Sequence, residues 1–125
     1  MTSQGTAHGR FTRAIARGHL PAAEAAAREL GRLSLPDALA LCLLIAEADP
    51  ARFGRAAARW HARFVLEAKG LDLVASRRLL NALASPTDPR ARETIAELAR
   101  LHGVPGLERA LYREPREPEP RHLGR

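Results

Sequence analysis

The sequence predicts an all-α protein of six to seven helices in antiparallel hairpins, forming a short solenoid or a closed bundle. Three observations carry this. The 125-residue chain is 46% hydrophobic but only 4% aromatic, so its core must be built mainly of Ala and Leu, which head the helix-propensity ranking. No segment alternates apolar and polar residues as a half-buried strand does. Leu20-Pro21, Leu35-Pro36 and Val104-Pro105 recur as helix openings, since proline in a first turn lacks only an N–H that would have no partner there. The length suits one domain with its own core.

Residues 1–9 are small and polar, with Gly5 and Gly9, and are expected to be disordered. The spacing of Phe11, Ala14 and Ile15 predicts a first helix over Arg10 to Arg17, closed by Gly18. A second helix opens at Leu20-Pro21 and turns Ala23, Ala26, Ala27, Leu30 and Leu33 inward. Ser34-Leu35-Pro36-Asp37 reads as a capping box, in which the serine hydroxyl and the Asp37 carboxylate cap each other's backbone N–H groups.

The central helix follows. Every residue from Ala38 to Ala46 is apolar, which predicts neighbours on most sides, because a helix facing water needs a polar stripe. The run is too short to cross a bilayer, which takes about 20 residues. Asp49-Pro50 ends it and opens a long fourth helix, to about Lys69, with Asp49 as N-cap. Phe53, Ala57, Trp60 and Phe64 share one face of that helix. Gly70-Leu71 reads as a Schellman ending.

A fifth helix, Asp72 to Ala84, presents Leu73, Val74, Leu79, Leu80 and Leu83. Asp88-Pro89 opens a sixth that buries Ala91, Ile95, Leu98 and Ala99 or His102. A short seventh carries Leu107, Ala110 and Leu111. Residues 10–112 thus make the domain, and 113–125, rich in Pro, Glu and Arg, are expected to be an extended disordered tail. Pro115 to Pro118 in that tail matches the minimal polyproline-ligand spacing, which is common by chance.

The succession of helical hairpins is similar in architecture to tetratricopeptide and HEAT-type repeats, although no period near 34 residues holds. The segments LSLPDALALCLL and DPARFGRAAARWHARF also resemble small uncharacterised all-α proteins of high-GC actinobacteria, over roughly residues 10–110. That resemblance implies the fold and a bacterial cytoplasm, and it carries no site residues.

The formal net charge is +6, nearly all of it arginine. GC-rich codon usage explains arginine in place of lysine but not the positions. Arg52, Arg55, Arg59 and Arg63 step by three, four and four along one side of the fourth helix, and Arg10, Arg13 and Arg17 make a similar stripe on the first. These are the candidate surface for phosphate or an acidic partner, since guanidinium groups fork onto either. If the two helices lay side by side the stripes would merge, and Trp60 beside them could stack on a base. A helix-turn-helix over Asp37–Phe64 is disfavoured by the uniformly apolar first helix of the pair.

Catalytic and metal signatures are not found. His8, His19, His61, His102 and His122 show no i, i+4 pair, and His61 and His102 are expected at helix interfaces. Cys42, the one cysteine, sits in the most apolar run and reads as a buried structural thiol. The N-terminus lacks the apolar core of a signal peptide. The expectation is a small cytoplasmic helical interaction module without catalysis or cofactor, binding a protein partner or itself and no membrane. Apolar patches from Leu66, Leu71, Leu73 or Leu101 would serve that role. The alternative is a nucleic-acid-associated protein using the arginine stripes.

Overall fold

The computed structural model describes residues 3–113, and the backbone alone for residues 3–5. Its helices are α1 Ser3–Arg17, α2 Leu20–Leu30, α3 Leu35–Ala48, α4 Phe53–Glu67, α5 Leu73–Leu83, α6 Pro89–Leu101 and α7 Glu108–Leu111, with a 3-10 turn at Pro50–Arg52. The fold is all-α, with no strand among the described residues. No described helix is long and apolar enough to cross a membrane. Helices α1 and α2, α3 and α4, and α5 and α6 pack as hairpins, and α7 folds back onto α3 and α6.

Helix α3 is the centre of this arrangement and touches α1, α2, α4 and α7. It serves two apolar clusters. Leu35, Leu39 and Cys42 pack with Trp60 and Phe64 of α4, Leu79 and Leu83 of α5, Ile95 and Leu98 of α6, and Leu107 and Leu111. Leu44 and Ile45 pack instead with Phe11, Ala14 and Ile15 of α1 and Leu20, Ala23 and Ala26 of α2. Phe53 and Ala56 touch both clusters. The uniformly apolar run is therefore explained by demands from different directions. Trp60, fully inside, donates its Nε1–H to the Leu35 carbonyl at 2.9 Å and lies 5.4 Å from the Phe64 ring centre.

Sequence signals set most helix ends. The Ser34 hydroxyl accepts from the Asp37 N–H at 3.2 Å, and Asp72 and Asp88 cap α5 and α6 through Ala75 and Arg90. Gly18 and Gly31 follow α1 and α2 with φ of 70° and 82°, a region open to glycine at little cost.

Several expectations are corrected. α1 begins at Ser3, not Arg10, because Ala7 extends the Phe11 and Ala14 stripe by another turn and is fully buried. His19, for which no role was expected at this end, caps α2, its Nδ1 accepting from Ala22 at 3.1 Å. Asp37 completes no reciprocal box; its carboxylate meets His8 Nε2 at 3.1 Å. Asp49 caps no backbone group of the next helix but bonds Arg52 Nε at 2.7 Å, so the chain opens with a 3-10 turn and α4 starts at Phe53.

Further corrections concern the second half of the chain. The fourth helix ends at Glu67 with Ala68 extended, so Gly70 is no Schellman glycine; Lys69 and His102 bond each other instead, Lys69 N–H to the His102 carbonyl and the His102 ring to the Lys69 carbonyl, both at 2.8 Å. On α5 the alanines win: Ala75 and Ala82 are buried with Leu79 and Leu83, while Leu73, Val74 and Leu80 face solvent. Arg113, expected in the tail, donates to the Ile15 carbonyl and lies 3.8 Å from Glu47. The rest of the tail, with His122, falls outside the described residues, as do Met1 and Thr2.

Cys42 is buried and its Sγ donates to the Ala56 carbonyl at 3.5 Å. Burial pushes the thiol up to about 11, outweighing the opposite pull of the Arg59 charge. Because the folded value lies above the unfolded one, the stability it contributes is full below pH 9 and is lost as pH rises through 11. The loss should reach about 2–3 kcal/mol at about 1.4 kcal/mol per unit. In urea melts between pH 8 and 11 the stability of wild type should fall by that amount relative to Cys42→Ala; parallel curves would refute it. Iodoacetamide should label Cys42 only after unfolding.

Candidate functional site

A groove of about 610 Å³ runs between α3 and α4. Its floor is apolar: Leu33 from the α2–α3 connection, Ala38, Leu41 and Ile45 from α3, and Ala56 from α4. Cys42 and Trp60 also reach it, although both are buried. One rim is the predicted stripe, Arg52, Arg55, Arg59 and Arg63. The 3.6-residue repeat that turns Ala57, Trp60 and Phe64 inward necessarily sets these arginines along an adjacent side.

The stripe is not uniform. Arg52 is saturated: its Nη1 and Nη2 fork onto Glu24 of α2 at 2.8 and 3.1 Å, and its Nε meets Asp49. These bonds, Glu24 first, push its pKa further up. Arg63 bonds Glu67 at 3.1 Å, and Arg32 lies 3.6 Å from the same carboxylate. Between these ends, Arg55 and Arg59 are exposed and have no acidic partner among the described residues. Unpaired positive charge is thus concentrated at the middle of the groove.

The first-helix stripe lies elsewhere. α1 packs on α2 and α3 and does not touch α4. Arg10 pairs with Glu29 of α2, and Arg13 and Arg17 point outward without an acidic partner among the described residues. The structure does not bring the two stripes together, because α1 packs on α2 and α3 and makes no contact with α4. Trp60 cannot stack on a base either, being 2% exposed with its N–H committed to Leu35.

The described histidines have structural partners. His8 pairs with Asp37, His19 caps α2, His61 joins α4 to α5 through the Ser76 carbonyl at 2.9 Å, and His102 ties α6 to Lys69. Among the described residues no group of three or more His, Cys, Asp or Glu could hold a metal ion. Of the apolar residues named as possible patches, Leu66, Leu73 and Leu101 are well exposed, while Leu71 packs partly against the core.

The sequence showed the arginine stripe but not that α2 closes the groove. Glu24 lies 28 positions from its partner Arg52, and only the fold joins them. Comparison with protein-family models, with curated proteins and with solved structures finds no match.

Proposed function

We propose that the chain is a helical protein-interaction module whose docking surface is the groove between α3 and α4. The observation that carries this reading is an apolar floor beside Arg55 and Arg59, which have no acidic partner among the described residues. Such a pairing of apolar contact with a charged rim is the anatomy of a protein interface. The hairpin succession, similar to helical repeats, supports the same class. A nucleic-acid role is less well served. The two stripes are on helices that do not touch, Trp60 is in the core, and Glu24, Asp49 and Glu67 stand at the ends of the groove against a run of phosphates.

Selection of a displayed random-peptide library on the purified protein tests the reading. Peptides should be enriched whose addition moves backbone amide resonances of Leu41, Ala51, Ala56 and Arg59. No enrichment, or shifts on the exposed α5 residues Leu73, Val74 and Leu80, would overturn it.

A further inference from the structure

We infer that the groove takes an amphipathic helix of a partner protein, bearing a pair of carboxylates one turn apart. This rests on the groove being a docking surface, and it names the occupant from the groove's walls and charges.

The walls decide the backbone form. Both are helices whose N–H and C=O groups are internally bonded, so the groove offers no sheet edge. An extended occupant would bury backbone groups without partners, whereas a helix brings its hydrogen bonds with it. The floor decides one face. Leu33, Leu41 and Ile45 are branched and aliphatic, with Ala38 and Ala56 between the walls. That surface accepts an apolar stripe at helical spacing, and the small alanines let it approach closely.

The rim decides the charge. From Arg52 to Arg63 the row spans about 16 Å at the helical rise of about 1.5 Å per residue, or three turns. Its two ends already hold carboxylates: Glu24 and Asp49 on Arg52, Glu67 on Arg63. At the Arg52 end a further acid would meet two carboxylates on one guanidinium, and at the Arg63 end it would meet Glu67, which Arg63 and Arg32 already share. Arg55 and Arg59 remain, four residues apart, and two acids at i and i+4 of a helix lying alongside repeat the same rise. Guanidinium forks match carboxylates in shape as well as charge. The groove therefore favours two acids in the middle and disfavours a polyanion.

The test uses the full chain and fluorescein-labelled peptides of four helical turns with a Leu stripe. One carries Glu at i and i+4 beside the stripe, one carries Gln at both places, and one carries Lys. Hexaglutamate and a short DNA duplex are the polyanion controls. At low salt the Glu peptide should bind about tenfold more tightly than the Gln peptide, as two partly exposed ion pairs would give. The R55E/R59E double variant should lose that preference and bind the Lys peptide instead, which also shows that it is folded.

Equal affinity for Glu and Gln peptides overturns the acid pair while leaving the docking groove in place. Failure of all helical peptides, where a library-selected peptide still occupies the groove, overturns the helical occupant. Tighter binding of hexaglutamate or DNA overturns both this inference and the docking reading beneath it.

Discussion

Trp60→Ala should destabilise the protein by about 3–5 kcal/mol, the cost of emptying a large buried aromatic site. For a chain of this size that is a large fraction of a total of about 5–15 kcal/mol. Three losses coincide. The indole volume at the centre of the larger cluster is vacated, the contact with the Phe64 ring is removed, and the Leu35 carbonyl loses a donor 2.9 Å away. Trp60→Phe separates them, since it keeps most of the packing and removes the N–H, and should cost less, about 1 kcal/mol of it from the hydrogen bond. Urea melts followed by far-ultraviolet circular dichroism measure both, because Trp60 is the one tryptophan and its fluorescence goes with it. Near-equal midpoints for wild type and Trp60→Ala would mean that the indole does not occupy the core.

The second large effect is expected at Phe11, in the other cluster. Phe11→Ala should cost about 3–5 kcal/mol by the same mechanism. Its distribution should differ. Phe11 packs with α2 and with Leu44 and Ile45, and touches nothing buried in α5, α6 or α7. Hydrogen exchange under native conditions should therefore show α1 and α2 amides losing protection first, with α4 and α6 protected to higher free energy, as in sub-global opening. Uniform acceleration along the chain would show instead that the clusters unfold as one unit.

The parts of the fold that are local were legible in the chain. Leu20-Pro21, Leu35-Pro36 and Asp88-Pro89 act within a few residues and open α2, α3 and α6 as expected, whereas Val104-Pro105 opens no helix, α7 starting only at Glu108. What was not legible depends on partners far along the chain. Asp37 and Asp49 both have the form of caps, but His8 draws one away and Arg52 the other. Leu73 and Leu80 look like core residues by type, yet α5 buries Ala75, Leu79, Ala82 and Leu83 and leaves both of these leucines exposed. The same limit applies to the site. The periodicity of Arg52 to Arg63 showed a stripe, while the difference between its acid-paired ends and bare middle arises from Glu24 and Glu67.

The position of α3 between two cores has a consequence for how the chain is made. During synthesis α1, α2 and α3 emerge first, and these three can already close the Phe11 cluster. The opposite face of α3, with Leu35, Leu39 and Cys42, then waits for α4 through α7. At about 5–20 residues per second, the stretch from Ala48 to Leu111 takes roughly 3–13 s to appear. For those seconds a nascent three-helix intermediate shows the ribosome's surroundings an apolar stripe that the finished protein hides. Truncation after Ala48 should therefore yield a sticky, chaperone-bound fragment, although it holds every buried residue of the Phe11 cluster.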